Sequence, residues 1–328
     1  LKKILMSLMA SIVILSLPMY SSAQENSIID HITPDQTVIS VKPDLPSNFN
    51  PYTASNKELK NHHLPIKPKN KKEYKQWKHV ISTIKTGKYI KPVFTEVKHK
   101  NSVSTVGSYN WSGYVTNDTY GSPDINVVSG YWQVPDVENS KINTFSSSWV
   151  GIGGINKENH LIQAGTEQQV DANGNKVFYF WWEQLPNYET KITSLSVHPG
   201  DQVFVYISYD PSDKTAWYFI ENMTAGGYTN FEVDAGYSYD GSTADWIVER
   251  PTIFVNGKSS LSKLANFNYI VFWDCIATDG INGGYINDFE SINRIIMVGD
   301  TDNILAVPSD LDSAAEPGTF FVAWNGYE

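Results

Sequence analysis

The chain has 328 residues, 41% of them apolar and 18% charged, with a formal net charge of −10 at neutral pH. There is enough apolar material for a sizeable core, and the acidic surplus argues against nucleic acid, whose binding needs clustered Lys and Arg. A single cysteine, Cys275, excludes an intramolecular disulfide framework, so the fold must rest on hydrophobic burial.

The first element is an apolar run from Ile4 to about Leu17, preceded by Lys2-Lys3 and followed by Ser21-Ser22-Ala23. This is the pattern of a cleaved signal peptide. The run is shorter than the roughly 20 residues a membrane span needs. The expectation is a signal over residues 1–23, cleavage after Ala23, and a secreted protein with no membrane attachment afterwards.

Residues 24–100 carry 14 Lys, no Arg and 7 acidic side chains, whereas residues 101–328 carry 9 basic and 28 acidic ones. A leader of net +7 thus precedes a body of net −19. From Gln24 to about Pro68 the leader is polar and dotted with proline, and reads as extended or poorly ordered. A helix is expected near 70–88, where Tyr74, Trp77, Val80, Ile81 and Ile84 recur at helical spacing and Gly87 stands near the end. One amphipathic helix cannot bury its own apolar face, so it should dock on the acidic body.

After residue 105 the texture changes to short runs rich in Trp, Tyr, Val, Ile and Thr, separated by turn signals such as Asn256-Gly257 and Asn282-Gly283-Gly284. Without a repeat or a long helical period, an all-β, two-sheet antiparallel sandwich over residues 106–328 is the expected architecture. Asp171-Ala172-Asn173-Gly174-Asn175 lacks the sixth-position glycine and twelfth-position acid of a calcium loop and reads as a hairpin turn. Cys275, in the strand-like run Ile270 to Cys275, reads as a buried small apolar residue.

Familiar catalytic motifs are missing. The body holds only His160 and His198, both in expected surface turns, and there is no Gly-x-Ser-x-Gly elbow, His-Glu-x-x-His helix or Asp-Thr/Ser-Gly loop. What remains is a glutamine in Leu161-Ile162-Gln163-Ala164-Gly165 and a glutamate in Ala244-Asp245-Trp246-Ile247-Val248-Glu249. Alternation puts Gln163 and Glu167 on one strand face and Asp245 and Glu249 on one face of another, so Gln163 and Glu249 can share an open face of a sheet. Glu249 could take a proton from a water and return it to a leaving nitrogen, while the Gln163 amide donates to the developing oxyanion. The glutamate needs only to exceed its own pKa, about 4.3 when unperturbed, so such a pair can work in acid. By spacing alone the pair is ordinary, since polar residues on strand faces are usually just solvated.

The order of six motifs adds to that reading. Tyr109-Asn110-Trp111-Ser112-Gly113-Tyr114, Gly130 to Pro135, Ser148-Trp149-Val150-Gly151-Ile152-Gly153-Gly154, Leu161 to Gly165, Trp181-Trp182-Glu183-Gln184-Leu185-Pro186 and Ala244 to Pro251 together resemble the glutamic peptidases, the eqolisin or A4 family. The likeness extends over nearly all of 109–326. It implies a β-sandwich of concanavalin A-like type, an acid endopeptidase without metal or cofactor, polypeptide substrates and a monomer. It also implies a Gln163/Glu249 dyad. Trp149, Trp111 and Glu183 match family residues around the cleft, and Glu167 matches a further cleft acid less closely. The chain departs from fungal members at Gly153, where they carry an acid, and at Gln184-Leu185, where they carry an aromatic pair.

The resemblance further implies that the basic leader is a propeptide removed on activation, by cleavage between about residues 100 and 108. The charge split suggests that this segment, helix included, lies over the acidic cleft and leaves as carboxylates protonate. The rival reading is a secreted sugar-binding module or glycoside hydrolase on a similar sandwich, with Glu183 and Glu249 as a carboxylate pair.

Overall fold

The computed structural model describes residues 28–327 except 34–35, 41, 44, 98, 101–106, 118–124, 156–159, 235–238, 240, 256–257 and 312–315. Among the described residues the body is two large sheets face to face, one of twelve strands and one of eight, with a three-stranded sheet beside them. Pairing between the strands is antiparallel save where Lys88–Tyr89 runs parallel to Gly227–Asp234, and isolated parallel bridges join Ser108 to Met297 and Phe145 to Leu264. The expected all-β sandwich is therefore present, and the only helical element described after residue 105 is the single 3-10 turn Ile286–Asp288.

The front sheet positions the candidate dyad. Its order is Ile292–Ile295, Trp111–Asn117, Thr243–Glu249, Thr144–Gly153, Leu161–Val170, Lys176–Gln184, Thr190–Ile192 and Phe94–Glu96. Alternation sends Ile162, Ala164, Trp182, Ala244, Trp246 and Val248 inward against Val203, Val205, Ile207, Tyr218 and Ile220 of the back sheet. Two indole N–H groups bridge the sheets, Trp132 Nε1 to Thr166 Oγ1 at 3.0 Å and Trp246 Nε1 to the Ser129 carbonyl at 2.9 Å. They satisfy donors that would otherwise be buried without partners. Asp171 to Asn175 forms the expected hairpin turn, its carboxylate accepting from the backbone N–H of Asn173 and Asn175 while Gly174 takes φ 87°. Cys275 is buried in the back sheet, with its thiol pushed well up by burial. His198 is exposed, whereas His160 is only partly so and packs edge-on to Tyr239.

The leader holds two surprises. Residues 24–68, read as extended or poorly ordered, contain a hairpin, Ile28–Thr33 with Gln36–Ser40, that extends the back sheet beside Gly227–Asp234. They also contain a short helix, Asn56–Asn61, opened by a capping box in which Ser55 N donates to Glu58 Oε2 at 2.7 Å and Glu58 N to Ser55 Oγ at 3.3 Å. Ser55-x-x-Glu58 was the sequence signal for it.

The expected long helix spans Lys71–Thr86, capped by Asn70. It does dock on the body, but not over the front sheet. Trp77, Val80, Ile81 and Ile84 bury against Val127, Tyr131, Phe204, Tyr206, Trp217, Phe219 and Tyr228, on the outer face of the back sheet. The expectation that the helix covers the cleft is thus overturned. Hydrophobic complementarity decided its seat, because the aromatic outer face of the back sheet is what matches its apolar stripe.

The same face receives basic side chains of the leader. Lys60 pairs with Asp210 and Asp213, Lys72 with Asp288, His79 with Glu221 at 2.7 Å and His63 with Glu232 at 3.1 Å. No helix among the described residues is long and apolar enough to cross a membrane. The expected signal segment lies outside the described residues.

Candidate active site

The outer face of the front sheet gathers every residue singled out from the sequence. Trp149 stands at its centre, on the strand between those of Gln163 and Glu249. Gln163 lies opposite Gly151, two residues beyond the tryptophan, and Glu249 lies opposite Ser147, two residues before it. The amide and the carboxyl therefore flank the indole along a diagonal of the sheet. Small residues make room for it: a Cβ on Gly165 would stand 2.6 Å from Trp149 Cβ and 2.2 Å from the Ser148 carbonyl. Trp111 meets Trp149 edge-on, their ring centroids 5.0 Å apart.

Glu249 is held at both oxygens. Asn110 Nδ2 donates to Oε1 and Trp149 Nε1 to Oε2, each at 2.9 Å. Asn110 is itself positioned by Ser108, whose hydroxyl donates to Asn110 Oδ1 at 3.0 Å. Burial pushes the Glu249 carboxyl up to about 8, against the pull of Asn110, Trp149 and, more weakly, Trp111. The donor set favours the charged form, while the closed surroundings favour the neutral one.

Gln163 is held by Glu183, its cross-strand neighbour, with Nε2 donating to Glu183 Oε2 at 2.5 Å. Its carbonyl Oε1 is buried and has no hydrogen-bond partner among the described residues. The amide thus keeps one N–H and a carbonyl oxygen for another molecule. Glu167 aligns with Glu249 through Ser147 and belongs to the same buried group, together with Glu189. Burial, then mutual repulsion, raises Glu167 well above the carboxylate range, and burial raises Glu189 also.

Two features were missed from sequence. Asn110 stood in a quoted motif without a role, and its place before Trp111 was the available signal. Glu189 had no signal, since only the turn after Gln184 brings it back along the Lys176–Gln184 strand to the buried group that holds Glu167. Glu183, which could have been a plain surface acid, instead anchors the amide.

The face is not open. Gln163, Glu249, Glu167, Glu183, Trp111 and Trp149 all have 0% relative exposure. This corrects the expectation of an open sheet face: the outward-facing Trp111, Trp149, Tyr179, Trp181 and Ile247 pack into a buried cluster of their own. Phe94–Glu96 is the outermost strand at one end of the sheet, while Trp111 begins the strand next to the other end. Val97 N donates to the Glu189 carbonyl at 2.8 Å, and His99–Lys100 then pairs with Thr252–Ile253, just past Glu249. The leader thus pairs first with Thr190–Ile192, two strands beyond that of Gln163, and then with Thr252–Ile253, just after Glu249.

A sandwich whose front sheet carries buried carboxyls beside a fixed amide fits a peptidase of the glutamic class. A family model described as the Peptidase A4 family matches residues 109–305, and the chain belongs to that family of glutamic-type peptidases, hydrolases that act on polypeptides. Among solved structures it is similar to scytalido-glutamic peptidase with a peptide-based transition state analog, at 21% identity and TM-score 0.55, covering 67% of this chain and 100% of that one. It is likewise similar to SCP-B, an eqolisin in complex with the tripeptide Ala-Ile-His, at 21% identity and TM-score 0.53, covering 67% and 100%. These likenesses establish the shared fold. No curated protein sequence matches.

Proposed function

We propose that the chain is the precursor of a secreted acid endopeptidase whose dyad is Gln163 and Glu249. The observation that carries this reading is the pair of N–H donors, from Asn110 and Trp149, already placed on both Glu249 oxygens. They await a carboxylate. Opening the site to water would remove the burial that holds Glu249 protonated, and its pKa would fall toward or below the ordinary range.

In the opened site, ionised Glu249 takes a proton from a water as the water oxygen bonds to the scissile carbonyl carbon. The free N–H of Gln163 donates to the carbonyl oxygen as it becomes negative. Glu249 then returns the proton to the amide nitrogen, the C–N bond breaks, and an acid and an amine leave. Each contribution is of ordinary size, about 10²–10⁴-fold for the proton transfer and about 10²–10³-fold for the oxyanion donor. No metal or other cofactor enters this scheme, and we take the working form to be a monomer.

The leader, residues 24–105, serves in this reading as an intramolecular inhibitor, through residues 94–97 and 99–100, which pair with the front sheet and with the segment after Glu249, rather than through the helix. The bond between Glu183 and the Gln163 amide speaks against the glycosidase alternative, which would need Glu183 as a free acid or nucleophile. The test is hydrolysis of denatured casein by the full-length chain across pH 2–7, beside Gln163→Ala and Glu249→Ala. Activity in acid that is lost in both variants is expected, and activity kept by both would remove the mechanism.

A further inference from the structure

The leader meets the site region through main chain more than through side chains. Glu96, Thr95 and Phe94 lie opposite Thr190, Lys191 and Ile192 as an added antiparallel strand. Val97 N donates to the Glu189 carbonyl at 2.8 Å, and the Thr193 N–H and hydroxyl donate to the Val93 carbonyl at 2.7 and 3.0 Å. Val93 N in turn donates to Ser194 Oγ at 3.0 Å. Val93, Thr95 and Glu96 are exposed. Phe94 alone is anchored, its ring 5.9 Å from Trp182 and 5.1 Å from Phe231.

Two residues after Val97 the chain pairs again, with Thr252–Ile253. The two receiving segments also meet each other, since Tyr188, next to Glu189, packs edge-on to Phe254, next to Ile253, at 6.1 Å. One chain thus pairs in turn with the strand two places beyond that of Gln163 and with the segment just after Glu249.

A strand edge of this kind is a template for any extended chain. Its main-chain bonds supply affinity without regard to sequence, and a pocket for an alternate side chain supplies preference. We propose that the Thr190–Ile192 and Thr252–Ile253 edges form the docking track for polypeptide substrates, and that the leader is its occupant in cis. A substrate segment adds as a strand beside Thr190–Ile192, seats an apolar residue where Phe94 lies, and continues past the dyad to Thr252–Ile253. This rests on the peptidase reading above.

Because pairing alternates, the Val97 and Thr95 N–H groups face the Thr190–Ile192 edge and the Glu96 N–H faces away. The full-length chain carrying Val97→Pro, with Thr95→Pro as a second way to free the edge, is titrated with a fluorescent peptide of residues 90–100. The peptide is used unmodified, N-methylated on Val97, or N-methylated on Glu96, while casein turnover is followed in acid. The unmodified and Glu96-methylated peptides should bind at least tenfold more tightly than the Val97-methylated one and should raise KM without lowering kcat. Full-length Glu96→Pro, which keeps its own strand in place, should bind the unmodified peptide at least tenfold more weakly than Val97→Pro. Equal binding of the two methylated peptides, or binding that leaves KM unchanged, would overturn the proposal. Methyl discrimination without any casein turnover would instead remove the peptidase reading and leave a polypeptide-docking edge.

Discussion

Both sheets of the sandwich are met by the same leader, and by different means. On the back sheet a helix buries Trp77, Val80, Ile81 and Ile84 against aromatic side chains, with ion pairs around them. At the front sheet a few residues pair through their backbone beside a group of buried carboxyls. The back contact adds to its own strand pairing at Gly227–Asp234 a seat specific to side chains, and is thus suited to permanence. The front contact depends on the backbone that every polypeptide shares, and so can be exchanged.

The largest effect should come from the front face. Glu249→Gln preserves shape and removes the base, so turnover should fall about 10²–10⁴-fold while Tm holds or rises, because a buried titratable acid becomes a neutral amide. A fall in Tm with turnover intact would break the comparison. At the back, Trp77→Ala should cost about 3–5 kcal/mol by cavity formation, read in denaturant unfolding and in protease cutting of the leader. Turnover by whatever enzyme survives should not change, which separates anchoring from catalysis.

The two contacts should also differ in pH response. Glu73, in the first turn of the helix, is buried against the back sheet, where Tyr206 donates to it at 2.9 Å, and burial raises its pKa from 4.5 to about 7. A raised carboxyl gives its full contribution below the unfolded pKa and loses it as pH climbs through the folded one. Docking of the helix should therefore weaken by roughly 3 kcal/mol between pH 4.5 and 7. Glu73→Gln should flatten that slope, raising Tm near pH 8 and leaving it unchanged near pH 4; a parallel shift at both would refute the assignment. His63, raised by its bond to Glu232, acts in the same sense. Asp210, which burial raises but Lys60 and Ser212 together bring below its ordinary value, acts in the opposite one.

Acid release of the leader thus has no simple support from the back face, contrary to what the charge split suggested. The smallest effect is expected from Lys60→Ala, at about 1 kcal/mol or less, and it should shrink further in salt.

Much of this was legible in advance where the signal is local. The helix appeared at Lys71–Thr86 because its apolar stripe repeats every turn, and Gln163 and Glu249 share a face because strand alternation has a fixed period of two. The capping box at Ser55 and Glu58 was equally local and was passed over. Asn110 and Glu189 were not legible as partners of the dyad. Asn110 is 139 residues from Glu249, and Glu189 reaches Glu167 only through the turn after Gln184.

The amino-acid order by itself determined the strands, their inward and outward faces, the leader helix and the opposed charges of leader and body, all properties of short windows of chain. Only the tertiary structure decided which sheet the helix covers and that Trp149 stands between the dyad residues. It also decided that the front face is closed in the full-length chain. Those outcomes depend on sheet order and register between strands far apart in sequence, which are set by how whole surfaces fit together.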